Sequence, residues 1–356
     1  MQRDIGSLKH VDPFADKNFD CEVILLPTLK DIAKLAHVDI STVSRALNDS
    51  PYVHPNTKEK ILEAANTLKY HLNGTKEVLK TGKTHAVGII IPNAKLNIFM
   101  DFIQQAEIQA DAVNYDVIIC LSNDDSKREK RLLQKMRAGL ADGIIIASTG
   151  ENNSLLEDIS SSGKPVVQIF REVDQNLDSI SINYQQSVET AFHILRKKGC
   201  CQIGLINGPK SDTPYQDKLL AYRQLVESQS LPVIVQNTQS YPASFVQAGY
   251  ELTKTMLSVT PNVDGILTAN DSEALGVARY LDHQSINIPN DIKVISLAGS
   301  SVSDLFPARV SATVFPIDEI SLHALSLIIS KVEKLDRDSP LQHLQINTRY
   351  VSQMTC

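Results

Sequence analysis

Two short amphipathic helices joined by a tight turn open the patterned part of this chain, and they restrict its first domain to a small all-α assembly. Thr28 is suited to cap a helix, and Asp31 three residues later completes a capping-box pattern. Ile32, Leu35 and Ala36 follow as an apolar set at helical spacing. His37 and Val38 make the turn. Asp39 then caps a second helix, Ile40-Ser41-Thr42-Val43-Ser44-Arg45-Ala46-Leu47. Val43, Ala46 and Leu47 share one stripe, whereas Ile40, Ser41, Thr42 and Arg45 point elsewhere. This is the pattern of a helix-turn-helix, whose second helix enters the DNA major groove by its N-terminal end. Pro55 suits the first position of a third helix, with Ile61, Leu62, Ala65 and Leu68 as its packing face.

The charge distribution agrees. The formal charge of −6 conceals a basic segment: residues 27–84 hold nine Lys or Arg against six Asp or Glu. Residues 85–356 hold 23 against 30, and residues 1–26 hold three against five. A basic segment on an acidic body fits a reader of double-stranded DNA. The five cysteines form no CxxC pair and no metal-ligand spacing, so scattered thiols without metal or cofactor are expected. No apolar run reaches the ~18 residues that would span a membrane, and residues 1–26 lack the order of a signal peptide. A cytoplasmic protein with no membrane partner is expected, residues 1–26 being a mobile extension.

From His85 onward, short β-branched runs alternate with helical stretches. Strands are predicted at 87–91, 117–120, 143–147 and 165–169, with helices over 99–113 and 130–140. After Ile182 the rhythm restarts. Strands are predicted at 203–206, 233–236, 265–268 and 293–297, with helices ending at Arg196 and spanning 219–229, 245–257 and 272–283. Continuous apolar strands alternating with helices predict parallel sheets covered on both faces. Two such halves in series predict two lobes, with a ligand cleft at the C-terminal ends of the strands.

The runs TLKDIA and STVSRALN, with their spacing to LKYHLN, resemble the lactose-repressor (LacI/GalR) family from about Thr28 to the C-terminus. The resemblance implies an all-α helix-turn-helix headpiece followed by an α/β, two-lobed domain like the periplasmic sugar-binding proteins. It divides the chain into an extension (1–26), a headpiece (27–72), a hinge (73–84) and an effector-binding and dimerisation domain (85–356). The N-lobe would comprise about 85–183 and 314–344, the C-lobe 184–313 and 345–356. Crossings between lobes would fall near Ile182-Asn183, near Val314-Phe315-Pro316 and just before Gln345, with one last strand over 344–351. No leucine heptad follows, so a homodimer on a near-palindromic operator is implied.

For DNA, Arg45 can donate two parallel hydrogen bonds to guanine, a contact worth ~1–3 kcal/mol of discrimination. By resemblance, Ile40 and Ser41 occupy the sequence-selecting positions, and Leu79 is the hinge leucine that wedges into the minor groove. Thr28, Thr42, Ser44, Asn48 and Tyr70 are assigned to phosphate anchoring or scaffold. The family's turn glycine is His37 here. For the effector, Asp271 in Thr268-Ala269-Asn270-Asp271 matches the aspartate that grips ligand hydroxyls or amines, and also reads as a helix N-cap. Lys218 stands where relatives have an arginine, Ile98 and Phe99 where aromatics stack on the ligand, and Arg171 closes a strand. Asn183 is at the first crossing.

These features point to a transcriptional regulator, a repressor controlled by a small molecule such as a sugar or sugar derivative. A purine-like corepressor or a phosphoprotein partner are alternatives, and so is a periplasmic-type solute-binding protein, which lacks the headpiece. An enzyme is not expected. Gly82-Lys83-Thr84 resembles the end of a phosphate-binding loop, but position 77 is Glu and the run precedes a strand.

Overall fold

A computed structural model describes residues 29–47, 52–68, 83–210, 213–299, 309–333 and 340–356. The chain forms two compact units that meet in sequence at Gly82 and Lys83. Among the described residues, no helix is long and apolar enough to cross a membrane.

The first unit contains α1 (Leu29–Ala36), α2 (Ile40–Leu47) and α3 (Pro55–Thr67). Ile32, Ala33, Val43, Ala46, Leu47, Ile61, Ala64 and Ala65 form its buried core. The turn works because His37 adopts φ 53°, which lets the Val38 N–H reach back to the Ala33 carbonyl at 3.0 Å. That is a conformation glycine takes freely and histidine tolerates. One sequence expectation fails here. Leu35 is 45% exposed, because α1 turns Ile32 and Ala33 inward and a residue three positions beyond Ile32 falls on the rim of that narrow face.

The second unit holds two six-stranded sheets. In the N-lobe, β1 (Ala86–Ile91), α4 (Asn97–Asp111), β2 (Asp116–Leu121), α5 (Ser126–Lys135), β3 (Gly143–Ile146), α6 (Asn153–Ser161), β4 (Val166–Ile169) and β5 (Asp178–Ile182) follow one another. The C-lobe continues with α7 (Tyr184–Lys197), β6 (Ile203–Asn207), α8 (Thr213–Ser228), β7 (Val235–Asn237), α9 (Phe245–Val259) and β8 (Gly265–Thr268). It is completed by α10 (Asp271–His283), β9 (Lys293–Gly299) and β10 (Ser311–Val314). The chain then returns to the N-lobe for α11 (Ile317–Val332) and β11 (His343–Ile346), and closes with β12 (Arg349–Val351) in the C-lobe.

Strand orders are β11-β5-β4-β3-β1-β2 and β12-β10-β9-β8-β6-β7. All neighbours run parallel except β12 against β10. β1, β3, β4, β6 and β8 are buried along their whole length, which is why their sequences are predominantly apolar. Two expectations are corrected. The last strand is two strands in different sheets, so the third crossing falls at Asn347-Thr348, after Gln345. The predicted helix 130–140 begins at Ser126, where the Asp125 side chain accepts the Arg128 N–H at 2.7 Å. It leaves α-geometry at Met136 and finishes as a π-turn through Gly139, φ 103°.

Candidate functional site

In the first unit, α2 buries Val43, Ala46 and Leu47 and leaves the other side open. Thr42 and Val43 donate to the Asp39 carbonyl at 2.9 and 3.1 Å, so Asp39 holds the N-cap position. Ile40 is 47% exposed, Ser41 and Arg45 are exposed, and Thr42 and Ser44 are half-buried. No ion pair joins Arg45 to another described residue. An α-helix presenting this face can enter a major groove. Thr28, Asn48, Tyr70 and Leu79, residues 73–82 of the hinge and residues 1–26 lie outside the described residues.

In the second unit, a cavity of about 640 Å³, counting its open mouth, lies between the lobes. Of the six residues expected there, Ile98, Phe99, Arg171, Lys218 and Asp271 line it. Asn183 does not. Its side chain accepts the Gln186 N–H at 3.0 Å to cap α7 and donates to Asn347 at 2.9 Å. At that point the chain changes lobes, and the asparagine fastens the crossing.

The N-lobe wall depends on a strained turn. Phe170 has φ 60°, and the Arg171 N–H reaches the Ile169 carbonyl at 2.6 Å, which closes a γ-turn. A phenylalanine there is an outlier that the surroundings must enforce. They do: the Phe170 ring packs edge-on against Phe99 and Phe102 at 5.7 and 5.6 Å. Its carbonyl accepts the Tyr184 hydroxyl at 3.1 Å. Arg171 is thereby turned onto Asp124, at 2.7 and 3.4 Å, and across to the Tyr241 hydroxyl of the C-lobe at 2.6 Å.

The C-lobe wall is organised by Lys218. Its Nζ donates to the Ala269 carbonyl at 2.9 Å and lies 5.0 and 5.6 Å from the centres of the Tyr184 and Tyr215 rings. Burial brings this ammonium down to about 8, against the opposing pull of Glu273, Asp217 and Asp271. The N-cap of α10 is Asn270 and not Asp271: Asn270 accepts the Glu273 N–H at 3.0 Å, and Asp271 is the first helical residue, at the cavity wall. Glu273, three residues after the cap, is fully buried. Burial drives its carboxyl up to about 8, although Lys218 and amide groups of Ala269 and Asn270 pull the other way.

Sequence reasoning missed most of the aromatic lining. Phe170, Tyr184, Tyr215, Tyr241 and Phe315 all face the cavity. Only their positions just after strands, or at the crossings, could have signalled them. The result is a concave site with apolar walls, two cations already engaged by the protein and a carboxylate at a helix N-terminus, which suits a small ring-shaped polar molecule.

Comparison with known proteins covers both units. Residues 28–73 match the family described as bacterial regulatory proteins, lacI family, and residues 84–352 match the periplasmic binding proteins and sugar binding domain of LacI family. The ribose operon repressor of Halalkalibacterium halodurans is 25% identical over 314 residues, covering 88% of this chain and 93% of that protein. Catabolite control protein A of Priestia megaterium is 28% identical over 323 residues, covering 89% and 96%. Among solved structures, the lac repressor dimer bound to operator and the anti-inducer ONPF matches with a TM-score of 0.70 at 19% identity, covering 92% of this chain and 98% of that one. The CelR–cellobiose complex matches at 0.68 and 19%, covering 93% and 100%.

Proposed function

The chain belongs to the LacI family of bacterial regulatory proteins, and from that premise we propose a homodimeric repressor whose operator affinity is set by a small molecule in the interlobe cavity. It is a DNA-binding transcriptional regulator and not an enzyme. Arg45 reads a guanine, Ile40 and Ser41 select neighbouring base pairs, and Thr42 and Ser44 hold phosphates. Roles for Thr28, Asn48, Tyr70 and Leu79 rest on the family resemblance alone. Two headpieces occupy successive major grooves of a near-palindromic site. This reading places the protein with its DNA in the cytoplasm.

The effector is a sugar or sugar derivative. The observation that carries this is the cavity itself: aromatic faces from both lobes with Asp271 and Lys218 at its C-lobe wall. Pyranose and furanose rings offer an apolar face for stacking and a rim of hydroxyls for the carboxylate. Relatives named for ribose and sucrose support the same class. The aromatic lining also accommodates a flat purine-like ring, which is the second reading. Binding across the two walls changes lobe closure and so biases DNA affinity through differential binding to two states.

Selection of bound sites from a random duplex pool tests the DNA reading. A dyad-symmetric site is expected, and an unstructured pool would sink it. On the selected site Arg45→Ala should cost roughly 1–3 kcal/mol and relax one base pair per half-site. Uniform weakening on all sequences would make Arg45 a phosphate anchor. Repeating the selection with sugars and with nucleobases distinguishes the two effector classes.

A further inference from the structure

The regulatory unit carries one surface that its own folding does not require. Residues 83–356 hold 24 Lys or Arg against 30 Asp or Glu. Six of those cations fall within the short stretch Ser126 to Arg137, where Glu129 is the sole acidic residue. Helical steps of 100° place Glu129, Leu133 and Met136 on one side of α5 and its π-turn extension, and all three are fully buried. The opposite arc carries Lys127, Arg128, Lys130, Arg131 and Lys135, all exposed. Arg137 is engaged by Asp158 at 2.6 Å. The other five make no ion pair with a described residue; the Asp125 carboxyl at the N-cap is held below the usual carboxylate range chiefly by the Arg128 N–H, with Arg131 and Lys127 adding to it.

This arrangement works against the helix. Lys127, Arg131 and Lys135 repeat at i, i+4 and i+8, so like charges are stacked along one row. Lys127 and Arg128 also sit in the first turn, where the helix dipole disfavours cations. The helix is nevertheless held firmly, because buried Glu129 accepts hydrogen bonds from Ser148, Thr149 and Asn152. The basic arc is therefore displayed on a fixed support. It offers no aromatic or large aliphatic anchor, which a protein partner's interface core would need. A phosphate backbone needs only the cations.

We propose that the exposed face of α5 binds the phosphate backbone of double-stranded DNA, a contact made by residues other than those of the headpiece. The proposal rests on the reading of the chain as a DNA-binding regulator. It predicts a sequence-independent, salt-sensitive contribution to binding.

The test uses the full chain and a duplex of about 60 base pairs lacking the selected operator, with affinity measured across roughly 50 to 200 mM salt. Replacing Lys127, Lys130, Arg131 and Lys135 by Gln should reduce the slope of log K against log salt by roughly three to four and weaken binding about tenfold or more near physiological salt. A charge-matched control replaces Lys197, Lys198, Arg223 and Lys254, exposed cations of the other lobe, by Gln and should leave the slope nearly unchanged. Unfolding curves confirm that both variants fold. An unchanged slope in the α5 variant overturns the proposal and leaves the face to an acidic protein surface. Equal losses in both variants also overturn it, since net charge would then be the cause. Wild-type protein that binds no duplex at any salt would instead remove the underlying DNA-binding reading.

Discussion

Glu129 in the N-lobe and Glu273 in the C-lobe are both fully buried, on outer helices of lobes whose sheets correspond strand for strand. Glu129 accepts four hydrogen bonds, from Ser148, from the Thr149 N–H and hydroxyl and from Asn152, at 2.8 to 3.2 Å. Neither Glu273 oxygen has an aligned donor among the described residues. The helix pairs that carry them differ in the same sense. α5 and α6 are joined by side chains, through Glu129 and the Arg137–Asp158 pair. In the C-lobe α9 and α10 meet backbone to backbone: a Cβ on Gly276 would stand 2.1 Å from the Val246 carbonyl, and one on Gly249 2.3 Å from the Glu273 carbonyl. Side-chain joints leave α5 free to vary outwardly, and there the chain places its basic face. Close backbone docking fixes the turn bearing Asp271 and Glu273, so the C-lobe wall of the cavity is rigid and electrostatically costly.

The contrast is sharpest against pH. A carboxyl raised from 4.5 to about 8 on folding contributes stability that is complete below 4.5 and is lost as pH rises toward 8. Linkage sets a ceiling of about 5 kcal/mol on that loss. Lys218, lowered from 10.5 to about 8, contributes the opposite slope, with stability recovered between 8 and 10.5. A stability minimum near pH 8 is expected, and Glu273→Gln should flatten the acidic limb by several kcal/mol in urea unfolding. An unaltered limb would show that Glu273 is held as an ion by Lys218. Gly276→Ala comes next. Alanine gains ~1 kcal/mol of helix propensity, but its methyl collides with backbone, and a net loss of about 3 kcal/mol is expected from denaturant midpoints. Glu129→Ala should cost about 2 kcal/mol by stranding the Thr149 N–H and removing one acceptor of the Asn152 amide, which keeps the Ser126 carbonyl. If it cost more than Gly276→Ala, the ranking of the two joints would be reversed.

The lobes were legible in the sequence because parallel strands buried on both faces leave runs such as Val87 to Ile91, and because helices between them restart the rhythm. The split of the last strand was not. The alternation through Gln345-Ile346-Asn347-Thr348-Arg349 suits either sheet, and only tertiary packing decides where the chain changes sides. Among the candidate site residues, Ile98, Phe99, Lys218 and Asp271 were reached through family resemblance, residue by residue, and Arg171 through its place at the end of a strand. Asn183 failed because a side chain at a crossing has a helix to cap as well as a ligand to meet. Tyr215 and Tyr241 come from separate segments of the C-lobe and converge through topology alone. Glu273 at three residues from Asn270 reads as an ordinary capping partner. Its burial follows from Gly249 and Gly276, glycines that look unremarkable in helical sequence.

The smallest expected effect concerns the link between the lobes. The Tyr241 hydroxyl, from the segment before α9, accepts from Arg171 in the N-lobe at 2.6 Å, and the Tyr241 ring rests edge-on against Tyr215 and Phe245 at 6.4 and 6.1 Å. Tyr241→Phe keeps the rings together and deletes the oxygen. Arg171 retains Asp124 at 2.7 Å, so its charge stays compensated, and loss of the charge-assisted bond to Tyr241 costs about 1.5 kcal/mol. Global stability should scarcely move, because each lobe keeps its own core. The closed arrangement should instead become about tenfold less favoured over the open one, since 1.4 kcal/mol is a factor of ten. Small-angle scattering of the ligand-free protein would read this as a larger radius of gyration. Asp124→Asn, which weakens Arg171 within its own lobe, should leave that radius nearly unchanged. Equal radii for Tyr241→Phe and wild type would mean that the three chain crossings alone set the closure, with the two walls acting as independent halves of the site.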